Sequence, residues 1–140
     1  MEVDEIIERL GLEPHPERGW YRRTWAHEDA VAGRPLGSAI YYLLEGGVWS
    51  RWHRVDAVEL WHHYAGAPLE LAMRTDGAEE RSVRLGDDLV AGDRPQVVVP
   101  HDVWQRARSV GAYTLVGCTV VPAFVFEGFE LAPEERPPGT

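Results

Sequence analysis

From residue 38 to residue 121 the chain is cut into short runs of β-branched and aromatic residues. A Gly, Pro or Asp signal stops each run, commonly after eight to twelve residues. The pattern predicts strands over 38–44, 48–55, 59–64, 69–74, 81–85, 96–99, 104–108 and 113–121. Glu45-Gly46-Gly47, Gly66 with Pro68, and Pro100 interrupt the series, and Asp76-Gly77 is a strong hairpin signal. Many short strands at this spacing fold as a β-sandwich or barrel, here an all-β jelly roll.

The N-terminus departs from this pattern once. Val3, Ile6, Ile7 and Leu10 fall on one face of a short helix over 3–11, with Asp4 near its start and Gly11 at its end. Pro14 and Pro16 forbid its continuation. A strand over 20–27 follows, with large aromatics on both faces, more than one small barrel needs, which predicts a homodimer that buries this strand or its neighbour. The 124–131 segment is aromatic and is expected to close one end of the core, and the tail over 133–140 to be loosely ordered. With 140 residues and no linker or repeat, the expectation is a single domain over 1–140, its barrel over about 20–131.

Composition narrows the chemistry. A net charge of −9 argues against nucleic acid or an anionic membrane as partner. No apolar run reaches membrane-spanning length and the first residues are acidic, so a cytoplasmic location is expected. There is no lysine, which excludes Schiff-base catalysis and a Walker-type phosphate loop. The single cysteine, Cys118, excludes an internal disulfide and reads as a small buried hydrophobe.

The stretch 47–66, GVWSRWHRVDAVELWHHYAG, holds three of the 6 histidines and three of the 6 tryptophans. Aromatics beside a base and a carboxylate suit a lined, partly desolvated pocket for a small molecule. Alternation along strands puts Arg51 and His53 on one face, and Glu59, Trp61 and His63 on one face of the next strand. His62 then points away, and His15, His27 and His101 carry no site signal of their own.

This stretch resembles the first motif of the cupin superfamily: Gly47, His53, Glu59 and Gly66 hold its places, with Val55 where a second histidine is usual. Gly92 and Pro100 resemble the start of the second motif, and Asp102, Gln105 and Ser109 stand at its last three places. LEPHPERGWYRRTW, SAIYYLLEGGVWSRWHRVDAVELWHHYAG, LVAGDRPQVVVPHDVWQRAR and LVGCTVVPAFVFEGFELA are similar to successive blocks of one cupin family, over roughly residues 4–132. Its members are described as predicted sugar epimerases or as domains of unknown function. The resemblance implies a cupin-type jelly-roll barrel (a double-stranded β-helix) whose inward faces carry His53, Glu59 and Gln105.

Three readings of the pocket follow. As an epimerase or isomerase, His53 is the base, Glu59 orients it, and Tyr42 or Tyr113 returns the proton. Arg51 then holds an anionic group, with Trp61, His63, Gln105 and Ser38 as further substrate contacts. As a metal site, His53 and Glu59 offer two strong ligands and Gln105 a weak carbonyl oxygen, fewer than a catalytic zinc keeps. No cofactor is then required, and a divalent ion binds weakly if at all. The third reading is a non-catalytic cupin that binds a small molecule, a sugar derivative by resemblance.

Overall fold

The structure is a computed structural model and describes residues 1–133; the expected loose tail falls, beyond Pro133, outside the described residues. Helix α1 spans Val3–Leu10 and ends on Gly11, whose left-handed φ of 67° lets its amide reach back to the last turn. Glu2 is the N-cap and makes no side-chain capping bond, so Asp4 lies inside the first turn, where a carboxylate suits the helix dipole, and does not cap it.

Thirteen strands follow among the described residues. They are β1 (Glu13–Pro14), β2 (Trp20–Ala26), β3 (Ala30–Val31), β4 (Arg34–Pro35), β5 (Ser38–Glu45), β6 (His53–Val55) and β7 (Val58–Gly66). The rest are β8 (Leu69–Arg74), β9 (Arg81–Leu85), β10 (Gln96–Val99), β11 (Trp104–Ser109), β12 (Tyr113–Val121) and β13 (Phe129–Leu131). One sheet runs β1-β2-β5-β12-β7-β10, the other β13-β6-β11-β8-β9, and β3 pairs only with β4. Strand pairing is antiparallel throughout. The result is a jelly roll of two facing sheets, which are not joined into one hydrogen-bonded barrel.

Alternation decides what fills the space between the sheets. Tyr42, Leu44, Trp61, Val116 and Cys118 of the larger sheet pack with Leu69, Leu71, Met73 and Ala107 of the smaller one. The intervening residues of β5 and β12, Tyr41, Leu43, Tyr113 and Leu115, face the other way and form the bed on which Ile6, Ile7 and Leu10 of α1 lie. The expected strand over 48–55 shortens to β6, because the amides before it bond elsewhere: Ser50 to the Ala107 carbonyl and Arg51 to the Glu17 carbonyl. No helix among the described residues is long and apolar enough to cross a membrane.

Candidate functional site

At one end of the sandwich the two sheets leave a cavity of about 30 Å³, room for roughly two water-sized groups. His53 of β6 and Glu59 of β7 face it from opposite sheets. Tyr42, Trp61 and Cys118 add walls from the larger sheet, and Phe124 and Phe129 from the C-terminal segment. The turn between β1 and β2 contributes two residues that periodicity gave no reason to choose, His15 and Glu17.

Glu17 is 4 % exposed although it sits in a turn of charged and glycine residues. His53 Nδ1 lies 2.5 Å from Glu17 Oε2 and 2.9 Å from the Arg51 carbonyl oxygen. Both neighbours are acceptors, so Nδ1 carries the proton and Nε2 is left for the cavity. The Glu17 contact is a charge contact outside hydrogen-bond alignment, since Oε2 has no aligned donor. Burial drives the Glu17 carboxyl up, but the charge of His53 in close contact outweighs this and holds it below its ordinary value. Burial drives His53 down, and Glu17 reverses that, so the imidazole is more basic than usual. When the imidazole is protonated the two form a buried ion pair, and when it is neutral its one proton stays on Nδ1.

Glu59 behaves differently. Burial raises its proton affinity, only partly countered by the charge of His53. Its Oε1 accepts a 2.7 Å bond from Gln105 Nε2, and Gln105 Oε1 accepts a 3.0 Å bond from Trp61 Nε1. Because β11 belongs to the sheet of β6, this Trp61–Gln105–Glu59 chain ties the two sheets together behind the cavity. Burial and then the Glu17 charge raise the Tyr42 phenol well above its usual range; its hydroxyl donates a 2.6 Å bond to the Arg18 carbonyl. Burial and then Glu59 hold Cys118 as a neutral thiol.

Several expected site residues lie elsewhere. Tyr113 is odd-numbered on a strand whose even-numbered residues face inward, so it packs under α1 instead. His63 shares the Glu59 face but stands four residues on, roughly 13 Å at the usual strand rise. Its Nε2 meets the Ala67 carbonyl at 3.2 Å. Arg51 precedes β6, so strand alternation does not reach it, and its Nη2 bonds the Ala132 carbonyl. Ser38 is buried, but its hydroxyl accepts the Phe124 amide at 3.0 Å and so positions a cavity wall without joining it. Gln105 stands behind Glu59, also outside the lining. His15, expected to carry no site signal, is a lining residue, and Cys118, buried in the core as expected, also borders the cavity. His62 sits on the outer face beside Thr119 and Gln96.

A resident metal of the cupin kind does not fit this donor set. Val55 offers no ligand atom, and Gln105 has its carbonyl oxygen committed to Trp61 and its amide to Glu59. His53 keeps Nδ1 for Glu17 and Arg51. Among the described residues no three His, Cys, Asp or Glu side chains converge on a point where an ion could sit.

Two facing antiparallel sheets with ionisable groups at one end of the space between them define a jelly roll of cupin type. The chain belongs to the Cupin superfamily (DUF985), whose family model matches residues 4–132. It is similar to a protein from Shewanella oneidensis at 40% identity and a TM-score of 0.90, covering 94% of this chain and 85% of that one. A hypothetical protein from Leishmania major matches at 28% identity and a TM-score of 0.86, with 93% and 86% covered. A dTDP sugar isomerase from Desulfovibrio desulfuricans shares the fold at 14% identity and a TM-score of 0.60, with 82% and 85% covered. A search of curated proteins found no match.

Proposed function

We propose that this cupin is a proton-transfer enzyme, an epimerase or isomerase of a small carbonyl compound of the sugar type. His53 is its base and Glu17, not Glu59, orients it. The observation that carries this reading is the pair of acceptors around His53 Nδ1, which leaves the Nε2 lone pair of the neutral ring for the cavity. The C–H proton next to the carbonyl passes to Nε2, and its electron pair moves into the carbonyl to give an enolate. Return of a proton to the same carbon completes an exchange, and Tyr42, which lines the cavity with Tyr21 and is the more deeply buried of the two, is the group to return it from a second direction. A cavity of about 30 Å³ takes the reacting end of such a molecule, so any nucleotide or phosphate would lie outside it.

The test is solvent exchange. Keto sugars and keto-sugar nucleotides incubated with the protein in D₂O are expected to gain deuterium at the carbon next to the carbonyl. His53→Gln and His53→Ala should each lower the rate by about 10²-fold or more. Circular dichroism and melting of both variants separate lost chemistry from lost fold. Exchange that survives both substitutions, or none across the panel with the native protein, sinks the reading.

The apolar share of the lining, Ile40, Val55, Val120, Phe124 and Phe129, favours a second reading, a module that binds a small molecule without turning it over. Native mass spectrometry that retains a ligand which does not exchange would support it. For assembly we propose a homodimer, supported by β2, where exposure begins at Arg22 and Trp25 is 48% exposed. Light scattering at micromolar concentration is expected to give twice the chain mass of 15.8 kDa, and a monomer would overturn the proposal.

A further inference from the structure

Two imidazoles flank the Glu17 carboxylate, and their hydrogen bonding is opposite. The Glu17 amide donates a 3.1 Å bond to His15 Nδ1. An amide N–H cannot donate to a protonated nitrogen, so Nδ1 of His15 keeps its lone pair and the proton of the neutral ring sits on Nε2. The nearest carboxylate oxygen, Glu17 Oε1, is 3.9 Å from Nδ1, too far to accept a hydrogen bond from it. No hydrogen-bond partner holds Nε2 among the described residues. The ring is nevertheless well fixed. It stands edge-on to Tyr21 at 4.7 Å and to Phe129 at 6.2 Å, and tilted against Tyr42 at 5.3 Å. Burial lowers the proton affinity of His15, and the charge of Glu17 only partly offsets this.

His53 has the reverse arrangement, with its proton on Nδ1 and the Nε2 lone pair left over. One carboxylate-bearing turn thus leaves the cavity with an Nε2 acceptor from one ring and an Nε2–H donor from the other. We infer that His15 is a neutral hydrogen-bond donor that holds the carbonyl oxygen of the substrate while His53 takes the neighbouring C–H proton. This rests on the proton-transfer reading above. As the C–H electron pair moves into the carbonyl, its oxygen gains the negative charge of an enolate, and the fixed N–H meets that charge without adding one to the ground state. When the proton returns to carbon, the oxygen reverts to a carbonyl and His15 has neither gained nor lost a proton.

Two measurements test this separately from the reading it rests on. In protein labelled with ¹⁵N-histidine at pH 7, His15 is assigned by the signal that His15→Gln removes. It is expected as the neutral Nε2–H tautomer; an Nδ1–H tautomer or an imidazolium would overturn the inference whether or not a substrate is found. Formate, added as a probe for an oxygen ligand, is expected to shift the His15 Nε2–H proton downfield, and an unmoved signal at saturation of the His53 response counts against it. With an exchanging substrate, His15→Gln keeps an N–H donor and should retain kcat within about 10-fold. His15→Phe keeps a ring and loses the donor, and should lower kcat by about 10²- to 10³-fold with KM little changed. His15→Phe with native kcat would refute the role. Absence of exchange in the native protein would instead refute the proton-transfer reading and leave the tautomer and formate results to decide the state of His15.

Discussion

Glu17→Gln is expected to destabilise the protein by about 3–5 kcal/mol, because it leaves the buried His53 without its counter-charge. The pH dependence carries the same signature. His53 has a folded pKa above its ordinary 6.5, so its contribution is complete below 6.5 and is lost as pH rises through the raised value. Glu17 has a folded pKa below its ordinary 4.5, so its contribution is present above 4.5 and is lost as pH falls through the lowered value. Stability from the pair is therefore greatest between about pH 4.5 and 6.5 and declines on both sides, and Glu17→Gln should flatten that profile. Glu59 has the opposite sign for a carboxylate. Its folded pKa is raised, so it favours the fold below 4.5 and costs stability as pH rises through the raised value. Glu59→Gln keeps an oxygen to accept the Gln105 amide and is expected to change stability by no more than about 1 kcal/mol near neutrality. Urea unfolding of the three proteins from about pH 4 to pH 9 measures all of this. Equal losses for the two glutamine variants would show that Glu17 and His53 are not a paired unit.

Gly19→Ala is expected to cost about 2–4 kcal/mol through strain at a positive φ combined with collision. Gly19 has φ +82°, and a Cβ there would stand 2.8 Å from the Leu43 carbonyl oxygen, 2.8 Å from Leu44 Cδ2 and 2.9 Å from Tyr42 Cε1. Backbone and packed core cannot yield as a flexible surface chain can. The damage should reach the cavity as well. The Gly19 carbonyl accepts the His15 amide at 2.9 Å, closing the turn that carries both His15 and Glu17. Gly47→Ala is the control: φ is +85° there, but nothing lies within 4 Å of the added carbon, so only the backbone strain of about 1 kcal/mol is expected. Thermal melting ranks the two, and the argument fails if Gly19→Ala melts no lower than Gly47→Ala.

Strand periodicity was enough to read most of the fold, and it found the site only where strands carry it. The strands over 69–74, 81–85, 96–99 and 113–121 appear as expected because turn residues bound each of them on both sides. Two-residue alternation correctly separates Glu59 and Trp61 from His62, since all three lie within one regular stretch of β7. It says nothing about position along the strand, which is why His63 was grouped with a cavity it does not line. Glu17 and His15 lie in a turn, where no period applies, and they meet His53 across dozens of residues of intervening chain. A signal was present in the sequence: the two stand in PHPERG, part of a block that resembles the family, and a carboxylate two residues after a histidine in a tight turn is an unusual place for a buried pair.

The Trp61–Gln105–Glu59 chain makes the present pocket hard to convert into a metal site. An indole can only donate, so Trp61 fixes the oxygen of Gln105 toward itself and the amide toward Glu59. Changing Trp61 alone orphans a buried oxygen, and changing Glu59 to an apolar residue alone orphans a buried amide. A histidine in place of Gln105 would have both ring nitrogens engaged by the same two neighbours. Building a metal-ligand set here would require Trp61 and Gln105 to change together, besides Val55, through intermediates that bury an unpaired polar group or lose a contact between the sheets. The interlock works as a ratchet: sequence drift at Trp61, Gln105 or Glu59 is penalised by the other two.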